Sequence, residues 1–416
     1  MFVSFLRKIT GAIRANYSLL KYILLSYFDK TIIFLIPLLV LYLFNNKSLY
    51  VSVEYIYSFV LVIVPFLDFG LSGYFFYYYR EHKNKKAAIL AVFNLFTLLY
   101  ITLFLFGIMI ILIHYLWFSF EKYILYIVFR CLFLVLFMFL SSYHRLMNKP
   151  KKALFITITS NIISLIVIFY LYIFNLEISV FPVFVGQILF CCYFFLVLVR
   201  KILKTKTFKK NLLKSVFFGS VLFAWPTIIQ VFLMMYIANY GKIKAINHLN
   251  LEEATLLSLT QRYSMLIQLT HTSIVAFLMK DLYLENMKKI NLKRFFKYFL
   301  FLLLSVVGVV ILICLNWYHK EILISRLRVF QVSILMIGYT ILWCIYSFLE
   351  IFYSRENKNI IKLYLAIVNA IVFIIVINGF SMSLLDRIVY AMMSSVFIAL
   401  ICSIIVLKQR GYYLYK

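Results

Sequence analysis

HKNKKAAILAVFNLFTLLYITLFLFGIMIILIHYLW, residues 82–117, decides the fold class of this chain. Lys83, Lys85 and Lys86 precede a run in which no residue from Ala87 to His114 is Asp, Glu, Lys or Arg, and Trp117 closes it. A hydrocarbon core of ~30 Å needs about 20 apolar residues per spanning helix, so this run reads as a membrane span with a basic end and an aromatic end. Runs of the same kind recur near 22–44, 54–79, 123–143, 153–174, 178–199, 213–239, 252–279, 295–317, 329–353, 360–379 and 388–407. With 87–114 they make twelve spans in an all-α polytopic membrane protein. An apolar content of 65% over 416 residues excludes a soluble fold.

The connections carry the orientation. Of 42 Lys and Arg residues, 31 fall on one alternate set of loops and tails, eight on the other, and three (Lys30, Arg130, Arg262) inside spans. Loops rich in Lys and Arg stay cytoplasmic, so both termini are expected on the cytoplasmic side of the membrane. The +28 net charge is then a topological signal and calls for no nucleic-acid partner. Arg7-Lys8 and Arg14 before a long first span read as a retained helix, and the loops are too short for a soluble domain. Six cysteines lie in spans at no metal-ligand spacing, so no metal site and no disulfide framework is expected.

Six spans lie on each side of the basic loop Arg200-Lys201…Lys214, which divides the chain into halves at 1–205 and 206–416. The third and ninth spans echo each other at an offset of about 200 residues: Ile111-Leu112-Ile113…Trp117 with Glu121-Lys122, and Ile311-Leu312-Ile313…Trp317 with Lys320-Glu321. Two six-helix halves of the same orientation are a transporter layout with the substrate site between halves near the midplane. Pro37, Pro65, Pro182 and Pro226 lie inside spans, where they bend helices for packing or for rocking.

Charges in lipid are costly and face a cavity or a partner. Arg262 is roughly 15 Å into its span at 1.5 Å per residue, with no acid in that span, and Lys30 is about 12 Å into the first. Together they suit an anion, the guanidinium through a bidentate fork and the lysine as a point charge. Arg130 either snorkels outward or adds to that site, while Lys30 has a structural alternative in an ion pair with Asp29 or Asp68. Asp29 and Asp68 read equally as pairing partners and as a proton or Na⁺ site. Glu350 reads as an interfacial charge. Gln230, Gln261, Gln268, His271 and Thr272 lie deep in apolar runs, as a wet face for sugar hydroxyls or as interhelical glue. P-loop, zincin, nucleophile-elbow and paired-carboxylate signatures are absent, so no enzyme active site and no cofactor is expected.

Leu67-Asp68-Phe69-Gly70-Leu71-Ser72, the 6+6 spans, the short outward loops and the basic central loop resemble the Wzx-type O-antigen flippases, a branch of the MATE-like (multidrug/oligosaccharidyl-lipid/polysaccharide) exporter superfamily. The resemblance covers the whole chain. It implies alternating-access export of an undecaprenyl-pyrophosphate-linked oligosaccharide from the inner to the outer leaflet. It further implies a cationic cavity at Lys30 and Arg262, an H⁺ or Na⁺ coupling ion, and polymerase and chain-length proteins as pathway partners. An O-antigen polymerase is the rival from another class, disfavoured by an outward loop near 240–251 with only Lys242, Lys244 and His248 as basic groups. A drug exporter is the second, disfavoured because deep bases are at least as many as deep acids.

Overall fold

The computed structural model describes residues 17–117, 123–147, 149, 151–204, 210–284, 289–319, 326–355 and 358–415. Arg7-Lys8, Arg14, Lys206, Lys209 and the Glu121-Lys122 and Lys320-Glu321 pairs lie outside these residues. Thirteen helices form among the described residues: α1 (Tyr17–Phe44), α2 (Lys47–Leu67), α3 (Leu71–Glu81), α4 (Lys85–Trp117), α5 (Ile124–Leu146), α6 (Lys151–Ile173), α7 (Phe181–Lys204), α8 (Lys210–His248), α9 (Leu251–Leu284), α10 (Leu292–His319), α11 (Arg326–Arg355), α12 (Asn359–Gly379) and α13 (Leu384–Gln409). Two three-residue strands, β1 (Lys289–Asn291) and β2 (Tyr413–Tyr415), pair in parallel. Eleven described helices are long and apolar enough to cross a membrane. Helix α9, 34 residues long, occupies the position of the remaining expected span and carries Glu252, Glu253, Gln261, Arg262 and His271 instead. The chain is an all-α polytopic membrane protein, because lipid leaves the backbone no partner except itself.

Where a single span was expected over 54–79, the chain makes two helices, α2 and α3. The break falls at Phe69 (φ 49°) and Gly70 (φ 66°), both left-handed. Glycine adopts that conformation at no steric cost, whereas Phe69 needs its surroundings to hold it. Pro65, lacking an N–H, already weakens the last turn of α2. Pro182 sits in the first turn of α7, where its missing N–H costs nothing, so it bends no helix.

The chain clusters into two compact units that differ from the halves 1–205 and 206–416 expected from the sequence. Unit 1 comprises residues 1–45 and 70–222, and unit 2 comprises 46–69 and 223–416. Helix α2 therefore belongs with the second unit although both its neighbours in sequence belong to the first. In unit 1, α1 packs on α6, α6 on α7, and α5 on α3, α4, α6 and α7. Stacked rings fill the space beside α5, with Phe96 on Phe139 at 3.7 Å and Phe75 on Phe139 at 5.6 Å between centroids. In unit 2, α9 packs on α2, α10 and α11, and α13 on α11 and α12.

Candidate functional site

Three ionised side chains meet inside unit 2, one from each of α2, α8 and α9. Glu54 is 1% exposed, Arg262 3% and Lys242 4%. Glu54 Oε2 accepts a hydrogen bond from Lys242 Nζ at 2.7 Å. Its other oxygen, Oε1, accepts from the Arg262 guanidinium through Nε and Nη2. The Tyr57 ring, one turn along α2 from Glu54, faces the guanidinium with its centroid 5.9 Å from Cζ. At 1.5 Å per residue, Glu54 lies about 10 Å into α2, Lys242 about 9 Å before the end of α8 and Arg262 about 16 Å into α9. Their meeting places the start of α2, the end of α8 and the start of α9 on one side of unit 2.

Two full positive charges share one carboxylate here, leaving a net +1 in a site shut off from water. Buried ion pairs are not strong stabilisers in themselves, but a missing partner is severely felt. The surplus charge also favours any anion able to replace Glu54 on the guanidinium, since carboxylate and phosphate both match its fork.

Sequence reasoning found Arg262 and missed its partners. Glu54 merely opens the span expected over 54–79, and Lys242 falls on the outward loop expected near 240–251. The polar residues Asn239 to Lys242 end the apolar run, but α8 continues helical to His248 and draws Lys242 into the interior. The available signal was charge balance: a midplane Arg with no acid in its own span must find one on another.

The other polar residues of unit 2 are largely engaged with each other. Gln230, expected as a sugar contact, donates from Nε2 to Glu350 Oε1 at 2.7 Å. Lys362, itself buried, and Tyr346 are further polar neighbours of Glu350, which is half-buried near the end of α11. Gln261 donates to the Ala238 carbonyl, and the Ser264 hydroxyl to the Gln261 carbonyl. His271 Nδ1 meets Tyr298 Oη at 2.7 Å, while Tyr298 donates to the Cys344 carbonyl at 3.1 Å. A phenol has one proton to give, so with that proton on the Cys344 carbonyl the histidine must be the donor to Tyr298. The expected wet face of α9 is therefore mostly interhelical and intrahelical bonding, with Gln268 half-buried on it.

Unit 1 holds the remaining candidates. Asp29 is fully buried, with Lys30, Arg130 and Thr157 as its polar neighbours. Arg130 does not snorkel: it is 7% exposed, because α5 is enclosed by α3, α4, α6 and α7. Lys30 is half-buried. Asn161 and Gln187 are buried with neither amide atom hydrogen-bonded among the described residues. Asp68 is buried where α2 breaks, its backbone N–H bonded to Val64. Thus the structure brings Asp29 close to Lys30 and Arg130 in unit 1, whereas Arg262, Gln230 and Gln268 belong to unit 2.

Among the described residues no group of three or more His, Cys, Asp or Glu is arranged to hold a metal ion.

No family model and no curated protein matches the sequence. Solved structures do match the fold. One is the lipid II flippase MurJ in an inward closed conformation, at TM-score 0.58 and 16% identity over 94% of this chain and 87% of that one. Another is an inward-facing multidrug resistance MATE family transporter of the MOP superfamily, at 0.56 and 11% over 92% and 94%. An outward-facing MATE transporter of the same superfamily matches at 0.52 and 11% over 94% and 93%. The fold is MATE-like over nearly the whole chain.

Proposed function

We propose that this protein is an alternating-access flippase that carries an undecaprenyl-pyrophosphate-linked oligosaccharide from the inner to the outer leaflet of a bacterial plasma membrane. The observation that carries the reading is the net-positive cluster of Glu54, Lys242 and Arg262, buried in a MATE-like helical fold. An exporter of organic cations needs surplus acid in its interior, and this cluster has surplus base. The likeness in fold to a lipid II flippase supports a lipid-linked substrate of the same general chemistry.

In this reading the pyrophosphate competes with Glu54 for the Arg262 fork. Exchange of one anion for the other frees α2 from α9, so that substrate binding is linked to a helix movement. Lys30 and Arg130 supply further positive charge in unit 1, and the half-buried Gln268 offers a hydrogen bond to sugar hydroxyls. Gln230 is left out of the sugar contacts, since Glu350 already holds it. Asp29 and Asp68 are the proposed H⁺ or Na⁺ carriers. The chain is oriented with both termini in the cytoplasm, as its basic loops require.

The test is the sidedness of the lipid-linked repeat unit in cells lacking the protein, read with a probe that labels outer-leaflet glycan alone. Single units trapped inside and released by the restored gene are expected. Arg262→Ala, which still leaves Glu54 paired with Lys242, should fold and restore export at no more than roughly a tenth of the normal rate, the scale of losing a buried charged contact. Single units that reach the outer leaflet unpolymerised would assign a polymerase instead and sink the transport reading.

A further inference from the structure

A second basic site lies in unit 1, remote in sequence and composition from the Glu54 cluster. Where α4 begins and α5 and α7 end, a cleft of about 370 Å³ opens between them. Lys86 and Lys201 give it charge, Phe93 and Tyr143 line it with aromatic rings, and Leu90 and Met147 complete it. Among the described residues no carboxylate lines it.

Each part has a physical origin. The Lys201 ammonium sits 3.3 Å from the centroid of the Phe93 ring, a cation–π contact that fixes the end of a flexible side chain. Phe93 and Tyr143 hold each other edge to face at 5.2 Å. Lys86 is in the first turn of α4, at the positive end of the helix dipole, a turn that Asn84 caps by accepting from the Ala87 N–H at 3.1 Å. Leu90 and Met147 are 56% and 41% exposed, which places apolar surface at the mouth of a cationic cleft. The start of α4 and the ends of α5 and α7 thus lie together on one side of unit 1.

We propose that this cleft binds the phosphate headgroup of an acidic membrane phospholipid, with Lys86 and Lys201 on the phosphate and Leu90 and Met147 against the first acyl carbons. The chemistry is that of basic pockets between membrane helices that take anionic headgroups. The lipid would pin α4 to α7 and stabilise unit 1 without being cargo. Only the leaflet depends on the orientation proposed above.

Native mass spectrometry of the full-length protein in detergent, titrated with phosphatidylglycerol and separately with phosphatidylcholine, tests this. Phosphatidylglycerol should bind in preference. Lys86→Gln and Lys201→Gln should each weaken it about fivefold, the effect of one basic residue at an anionic surface. Lys201→Arg should keep it, since a guanidinium also holds phosphate and also stacks on a ring. Lys86 is exposed at a helix end, so its replacement leaves the fold intact. Unchanged affinity in the double variant, or equal binding of both lipids, would overturn the proposal. So would displacement by excess inorganic phosphate, which would assign the cleft to a soluble phosphate group. Binding in detergent reads the same whichever way the chain is inserted, and leaves the flippase assay unaffected.

Discussion

Replacing Glu54 by glutamine is expected to cost about 3–5 kcal/mol of stability, the penalty for leaving buried charge without its partner. The variant keeps the shape of the side chain and removes only its charge. Lys242 and Arg262 would then face each other across an amide, both shut off from water. A fall of several degrees in the melting temperature of the detergent-purified protein checks this. The informative companion is the triple variant Glu54→Met, Lys242→Met, Arg262→Met. Apolar residues of similar volume often replace a buried ionic cluster at little or no cost. That variant should therefore recover most of the wild-type melting temperature while exporting nothing. A stable triple variant that still flips its substrate would reduce the cluster to a packing device. Glu54→Gln melting like wild type would show that the two cations are not held by this carboxylate.

The second large effect is expected at Gly186. An added Cβ there would overlap the backbone carbonyl of Ser160, with the Cα of that residue also within contact distance. Backbone cannot rotate away as a side chain can, so α6 and α7 would have to separate. Close approach of membrane helices through small residues is the main source of their association, since lipid offers no hydrophobic drive. Gly186 also donates its N–H to the Ser164 hydroxyl at 3.3 Å. Gly186→Ala should cost at least the upper part of the 1–3 kcal/mol range for overpacking, about 3 kcal/mol, and Gly186→Leu should prevent accumulation of folded protein. Gly73→Ala is the matched control. Its Cβ would meet nothing within 4 Å, so the melting temperature should stay close to wild type. Equal behaviour of the two alanine variants, by melting and by yield in the membrane, would remove the argument for a tight α6–α7 seam.

Both expectations concern contacts that the sequence displays only in part. Arg262 stood out because a charge near the midplane is costly wherever it lies. Its acid could not be named, because Glu54 is 208 positions away. Lys242 was hidden by the end of an apolar run that is not the end of a helix. Asp68–Gly70 falls inside the one span expected over 54–79. The left-handed pair Phe69–Gly70 breaks it, and only the glycine gave a sign of that. Arg130 was open to snorkelling on depth alone, and it is the packing around α5 that encloses it.

What the sequence alone determined is what depends on short windows: apolar runs long enough to span lipid, and the uneven loop charge. Lipid enforces these locally, since each span must satisfy its own backbone and hide its own polarity. The tertiary structure alone decided which charges neutralise which, that α2 leaves its sequence neighbours to join unit 2, and which glycine is a contact. Those depend on neighbours far apart in the chain, and in the membrane interior a charge or a backbone contact takes its energy from whatever the fold sets beside it.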